Sequence, residues 1–139
     1  MCNCPYRLRA AIHPLATGSS MSTILLVEDD GAVRRVLEEH LVDAGYAVIA
    51  VPDTTTALEV MVGSPRVDLL VADLVMPTGH SDGLAFATAV QAEQPDMPVI
   101  FITGYYGFVA RSGDLPGAVL YKPVDLETLS REISARLSV

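Results

Sequence analysis

Acidic, hydroxyl and basic side chains follow four short apolar runs of this sequence. Glu28 and Asp29 follow the first run, Asp73 follows a second, Thr103 ends a third, and Lys122 follows a fourth. If these runs are neighbouring strands of a parallel sheet, their carboxyl ends share one edge, where open α/β sheets bind ligands. Two carboxylates about 5 Å apart repel each other by roughly 3 kcal/mol at an effective dielectric constant of 20, so the cluster predicts a bound cation.

The residue types at this edge indicate which cation and which chemistry to expect. An all-oxygen cluster with few protein ligands favours Mg²⁺, which keeps several water molecules and often bridges to a phosphate. Lys122 supplies a positive charge and Thr103 supplies a hydroxyl group. Together they can neutralise a phosphoryl group attached to Asp73, whose carboxylate would be the nucleophile of aspartyl-phosphate chemistry. The sequence therefore predicts a phosphoryl acceptor at Asp73.

Strand and helix signals alternate from residue 24 onward. The predicted strands are unbroken apolar runs, as expected for strands buried on both faces of a parallel sheet. Five strand–helix units with short connections predict an α/β fold, a single (βα)5 doubly wound parallel sheet with helices on both faces. The residues expected to cap helices at their N-termini are Asp30, Asp53 or Thr54, and Asp125.

Apolar stripes predict which helix faces are buried. The stripe of the first helix comprises Val33, Val36, Leu37, Leu41 and Ala44. The stripe of the second helix comprises Ala57, Leu58, Met61 and Val62.

Residues 1–21 lack the periodic apolar pattern of the rest of the chain. The segment contains two prolines and a Gly-Ser-Ser run, and its apolar fragments are too broken for a signal peptide. Cys2 and Cys4 lack the second ligand pair of a zinc site. We therefore expect residues 1–21 to be a disordered or non-native N-terminal extension, and residues 22–139 to form one domain.

The charge distribution argues against nucleic acid as a partner. The chain has a formal charge of −8, and beyond residue 20 seven basic residues stand against seventeen acidic ones. A protein that binds nucleic acid is expected to present a basic face instead. No apolar run approaches the ~20 residues that a membrane span needs, so we predict a cytoplasmic protein with no membrane partner.

Four motifs, in this order, resemble the receiver domain of two-component response regulators. They are VEDD with Arg34 after the first strand, DLVMP after the third, ITG after the fourth and YKP after the fifth. The resemblance covers about residues 22–139 and implies a flavodoxin-like strand order of 2-1-3-4-5. By position, Glu28 and Asp29 resemble the acidic pair that holds Mg²⁺, Asp73 resembles the phosphoacceptor, and the backbone carbonyl of Val75 resembles a third protein ligand.

The two remaining motifs imply a switch. Thr103 resembles the family's switch hydroxyl, and Lys122 resembles the lysine that contacts the phosphoryl group. The bond between Lys122 and Pro123 resembles one that family members often hold cis. Val119 stands where the family often has an aromatic switch residue, and Tyr105 or Tyr106 are the candidates to replace it.

Two loops depart in length from the family pattern. The stretch 76–83 is longer than usual and contains His80, whose simplest interpretation is a solvated loop residue. The segment 104–117 is short and rich in glycine, which predicts a short or mobile fourth helix.

These roles predict a single-domain response regulator that takes a phosphoryl group from a histidine kinase or a histidine phosphotransfer protein. We expect the donor to dock near the first helix and the strand-five loop, and the signal to leave through a downstream protein partner. Enzymatic activity would be limited to self-catalysed transfer to Asp73 and hydrolysis from it. The alternative is a receiver module detached from a hybrid histidine kinase, or a phosphorelay intermediate or phosphate sink. An enzyme of the haloacid dehalogenase type, which also forms a phospho-aspartate, would need a second aspartate two residues after Asp73, where Val75 stands.

Overall fold

Five short apolar segments form the strands at the centre of the structure. The structure is a computed structural model and describes residues 9–10, 21–63, 66–74, 83–104 and 117–137. Helices cover both faces of these segments, so that two of the strands are buried at every position. The strands are β1 (Thr23–Val27), β2 (Ala47–Val51), β3 (Leu69–Asp73), β4 (Val99–Thr103) and β5 (Ala118–Tyr121). The described helices are α1 (Gly31–Asp43), α2 (Thr54–Val62), α3 (Gly83–Glu93) and α4 (Leu126–Leu137).

The five strands are parallel and lie in the order β2-β1-β3-β4-β5. The predicted order 2-1-3-4-5 is therefore confirmed. A two-residue edge strand, Arg9–Ala10, extends the sheet beyond β2 and runs antiparallel to it. The prediction that residues 1–21 form an extension stays a prediction, because only residues 9, 10 and 21 of that range are described.

The core has two layers, one on each face of the sheet. Leu25 and Val27 of β1 point into the layer beneath α2 and α3. Ile24 and Leu26 point into the layer beneath α1 and α4. This alternation follows from the period of two residues along a strand. Because the five strands are parallel, their carboxyl ends lie at one edge of the sheet.

Helix caps set the positions of the first turns next to that edge. The Asp30 side chain accepts hydrogen bonds from the amides of Ala32 and Val33 at 2.9 and 3.1 Å. Asp53 accepts from the amide of Thr56 at 2.7 Å. Such caps satisfy amides that have no partner within the helix. Asp53, and not Thr54, is therefore the cap of α2.

Two predicted helix stripes are partly wrong. In α1, Leu37 and Leu41 are buried as predicted, but Val36 is 53% exposed and Ala44 is exposed. In α2, Leu58 and Val62 are 55% and 78% exposed, whereas Thr56 and Val60 are buried instead. The apolar residues of α2 include exposed positions as well as buried ones, so hydrophobicity alone does not define its inner face.

None of the helices in the described part of the chain has the length and apolar character needed to cross a membrane.

Candidate functional site

The carboxyl ends of β1, β3 and β5 bring three predicted site residues together. β1 pairs with β3 from Ile24–Leu69 to Val27–Ala72, so Glu28 and Asp73 each follow directly on the last paired residue of their strands. Lys122 follows β5 and reaches across the edge of the sheet. Its ammonium nitrogen Nζ lies 2.6 Å from Glu28 Oε1 and 2.8 Å from Asp73 Oδ2.

Glu28 is a fully buried carboxylate in this group. Its Oε2 accepts a hydrogen bond from the amide of Asp30 at 3.2 Å. Its Oε1 is held in the ion pair with Lys122 Nζ at 2.6 Å. Burial raises the pKa of Glu28 to about 7; repulsion from Asp73 acts in the same direction, and the ion pair with Lys122 opposes it.

Lys122 holds its charge in spite of partial burial. Burial by itself lowers the pKa of a lysine, because it penalises the charged form. Here the hydrogen bond to Asp73 and the ion pair with Glu28 together outweigh burial, and the pKa of Lys122 is raised above its ordinary value. The ammonium group is therefore a permanent positive charge between two carboxylates.

Asp29 completes a cluster of oxygen ligands. One carboxylate oxygen from each of Glu28, Asp29 and Asp73 lies within 4.8 Å of the others. Asp29 is only partly buried, so the cluster opens to solvent on its side. Three convergent carboxylates and access for water fit a hard divalent cation such as Mg²⁺, which favours oxygen ligands and retains water.

Thr103 stands at the end of β4, next to the strand that carries Asp73. It is fully buried, and its backbone carbonyl accepts a hydrogen bond from the amide of Lys122 at 2.8 Å. The Lys122-Pro123 peptide bond is cis, as the resemblance implies. Val119 is partly buried and packs against the layer beneath α2 and α3.

Several predicted features lie outside the described residues. They are the carbonyl of Val75, the loop 78–82 with His80, the tyrosines at 105 and 106, and the helix expected between residues 104 and 117.

Arg34 is a site residue to which the sequence reasoning gave no role. Its Nη1 donates to the carbonyl of Glu28 at 2.8 Å and lies 3.4 Å from the carbonyl of Asp29. The arginine thus holds the backbone of the acidic loop from one turn inside α1. The sequence signal that could have indicated this role is an arginine near the start of a helix, where the helix directly follows a run of acidic residues.

Gly83 is a second residue that the sequence reasoning missed. A Cβ atom at this position would lie 1.9 Å from the carbonyl oxygen of Asp73. The start of α3 therefore packs directly on the backbone of the acceptor residue, and only glycine permits this approach.

An apolar groove of about 330 Å³ lies beside the site, between α1 and the connection from β5 to α4. Its lining includes Val33, Val36, Pro123, Val124 and Leu126. Lys122 also lines the groove, so that the groove adjoins the residue that contacts Asp73.

The comparisons with known proteins agree with this geometry. A family model described as the response regulator receiver domain matches residues 24–134. Over 120 residues the chain is 37% identical to the response regulator receiver protein CpdR of Brucella abortus, covering 84% of this chain and 98% of CpdR. The chain spans only 26% to 50% of the length of other curated relatives that it matches.

Solved structures show the same fold. A response regulator receiver protein from Sinorhizobium medicae superposes with a TM-score of 0.77 at 28% identity, covering 86% of this chain and 97% of that one. The receiver domain of the hybrid histidine kinase CckA superposes with a TM-score of 0.69 at 31% identity, covering 84% of this chain and all of that domain. The chain belongs to the response regulator receiver domain family.

Proposed function

We propose that Asp73 accepts a phosphoryl group from the phosphohistidine of a histidine kinase or a histidine phosphotransfer protein. The observation that carries the proposal is the position of Lys122 Nζ, 2.8 Å from the buried Asp73 carboxylate, which forms a cluster with the carboxylates of Glu28 and Asp29. A phosphoryl group placed there would meet a fixed cation on one side. Glu28, Asp29 and Asp73, with the carbonyl of Val75, would hold Mg²⁺ on the other side.

The chemical step follows from the charges in the site. A carboxylate oxygen of Asp73 attacks phosphorus, the phosphorus–nitrogen bond breaks, and the donor imidazole keeps the electron pair and takes up a proton. Lys122 balances charge on the transferred oxygens, because its ammonium group is already oriented toward Asp73. Mg²⁺, when bound, neutralises further negative charge on the phosphoryl oxygens. Hydrolysis of the acyl phosphate returns the carboxylate and releases phosphate.

Phosphorylation would then change the balance of charge at the sheet edge. The acyl phosphate carries about −1.5 to −2 charges near neutral pH, where the carboxylate carried one, and this extra negative charge attracts Lys122 away from Glu28. The backbone of Lys122 is bonded to that of Thr103 at 2.8 Å, so a shift of one strand end is transmitted to the other. This movement would switch the surface around the segment 104–117 and its binding of a downstream protein partner.

The donor is proposed to dock on the groove between α1 and the β5–α4 connection. Val36 is 53% exposed at this groove, and a docked helix would bury it. The groove is lined almost entirely by apolar side chains, with Lys122 as its one charged lining residue among those described. A helix placed there would bring its phosphohistidine near Asp73.

A second architecture is supported by the match to the receiver domain of CckA. The chain would then act as a receiver module of the hybrid-kinase type, or as a relay intermediate or phosphate sink, and pass its phosphoryl group on.

In either architecture we propose no catalysis beyond self-catalysed transfer and hydrolysis at Asp73. The cytoplasmic location stays a prediction.

The decisive experiment is labelling with acetyl phosphate and Mg²⁺, followed by intact mass measurement. The wild-type chain should gain one phosphoryl group, Asp73→Asn should gain none, and Asp29→Ala should lose most of the labelling together with its dependence on Mg²⁺. Asp68→Asn is the matched control, because Asp68 is a partly buried aspartate at the opposite end of β3, where it accepts from the amide of Thr23 at 2.8 Å. An unlabelled wild type, or labelling of Asp73→Asn equal to the wild type, would contradict the proposal.

A further inference from the structure

The amino-acid sequence of β2 lacks the charges and prolines that usually protect an edge strand. The strand has the sequence AVIAV, without charge or proline, and every residue except Ala50 is buried. The unpaired N–H and C=O groups of such an edge are a template on which another chain can add a strand, and proteins commonly block it with charges, prolines or a covering segment. In this chain the covering segment is the two-residue edge strand Arg9–Ala10.

The hydrogen-bonding direction shows which groups of β2 face that segment. The amide of Ala47 donates to the carbonyl of Ser22 at 3.0 Å, so the backbone groups of Ala47 point toward β1. Those of Val48 must then point outward, because successive residues of a strand alternate. Arg9 lies opposite Val48, and Ala10 lies opposite Ala47. The register therefore makes Arg9–Val48 the pair that exchanges hydrogen bonds, whereas the amide of Ala10 points away from β2.

Charge favours the association of this segment with its own domain. Residues 1–20 contain Arg7 and Arg9 and no acidic residue, whereas the rest of the chain has seventeen acidic and seven basic residues. A segment of positive charge is attracted to a body of negative charge. Two copies of the acidic body would repel each other, so the covering segment has an electrostatic advantage over a second copy at the same edge.

We propose that Arg9–Ala10 is a built-in sixth strand that covers the outer edge of β2 at Ala47 and Val48 and prevents a second copy of the chain from pairing there. The same edge becomes available for self-association when the segment is displaced. The proposal is independent of phosphoryl chemistry, because β2 contributes no residue to the acidic cluster.

Two proline variants of the full-length chain test the proposal. Arg9→Pro removes the amide that the register directs toward the carbonyl of Val48. Ala10→Pro is the matched control, because proline is tolerated at an edge position whose amide points to solvent. Arg9→Ala separates the loss of charge from the loss of the amide. The measurements are amide hydrogen exchange at Val48 and Ile49, and the oligomeric state by sedimentation over a range of protein concentrations.

Arg9→Pro removes the hydrogen bond from the Arg9 amide to the Val48 carbonyl and so weakens the pair in which the Val48 amide also takes part. We therefore expect exchange of the Val48 amide to accelerate by about fivefold or more, which corresponds to the loss of one hydrogen bond. Exchange at Ile49, which faces β1, should not change. Arg9→Pro should also self-associate with increasing concentration, whereas the wild type, Arg9→Ala and Ala10→Pro stay monomeric.

Three results would overturn the proposal. One is unchanged exchange at Val48 in Arg9→Pro, which would mean that the segment does not pair with β2. Another is a variant that exchanges faster at Val48 but remains monomeric at every concentration. The third is a wild-type dimer that dissociates in Arg9→Pro, because the edge strand would then belong to a second copy.

Discussion

At the scale of the residue, folding and metal binding favour different protonation states of Glu28: folding favours the protonated carboxyl, whereas a bound cation requires the ionised form. Its carboxyl is fully buried, and burial together with the charge of Asp73 raises its pKa from 4.5 to about 7. The folded state therefore binds more protons than the unfolded state between these two values. The contribution of Glu28 to stability falls as the pH rises from about 4.5 through about 7. A cation bound at Oε1 would reverse this loss, since it stabilises the ionised form.

Magnesium binding should consequently depend on pH near neutrality. We expect the apparent affinity for Mg²⁺ to be about tenfold weaker near pH 6 than near pH 8, because a ligand with a pKa of about 7 must lose its proton before it binds the cation. Isothermal titration calorimetry at the two pH values measures this difference. In Glu28→Gln the affinity should be lower and nearly constant over the same range. Equal wild-type affinities at both pH values would contradict the prediction that a Mg²⁺ ligand loses its proton in this pH range.

At the scale of the element, close backbone contacts hold the strand ends in register. A Cβ atom on Gly83 would lie 1.9 Å from the carbonyl oxygen of Asp73, and one on Gly117 would lie 2.2 Å from the carbonyl oxygen of Val99. The first contact fixes α3 against the end of β3, and the second fixes the start of β5 against β4. Both contacts determine where Asp73 and Lys122 meet.

Substitution of Gly83 should therefore disturb the acceptor without removing any site residue. We expect Gly83→Ala to lower the free energy of unfolding by roughly 1–3 kcal/mol, as overpacking does, and to slow the labelling of Asp73 by acetyl phosphate. Gly104→Ala is the matched control: its Cβ would lie 3.9 Å from Lys122 Cδ, an ordinary contact, so stability should change by less than about 0.5 kcal/mol. Urea denaturation measures both values. Equal stability of the two variants would show that α3 can move away from Asp73.

The elements also show which parts of the structure the sequence could predict. The five strands were expected from their apolar runs, because buried parallel strands leave a direct trace in hydrophobicity. The buried face of α2 could not be predicted, since its apolar residues include exposed positions as well as buried ones. The contact of Arg34 with the carbonyls of the acidic loop depends on the path of a long side chain. The pairing of Arg9–Ala10 with β2 involves two residues without a periodic pattern.

At the scale of the whole molecule, exposed apolar side chains lie on opposite sides of the sheet. Val36 of α1 is 53% exposed and Leu58 of α2 is 55% exposed. α1 packs with α4 on one layer of the core, and α2 packs with α3 on the other. Of these two residues, only Val36 lines the groove to which Lys122 also contributes. The two residues are therefore matched in exposure and differ in their distance from the proposed donor surface.

This difference allows donor docking to be tested separately from phosphoryl chemistry. Using a histidine phosphotransfer protein or kinase that labels the wild type, we expect Val36→Lys to slow phosphotransfer about tenfold, as loss of a central apolar contact does. Labelling of the same variant by acetyl phosphate should be unchanged, because Val36 does not touch the acidic cluster. Leu58→Lys introduces the same charge on the other side of the sheet and should leave both reactions unchanged. If the two variants slowed the protein donor equally, the added charge rather than the groove would be responsible, and the donor would have to dock elsewhere.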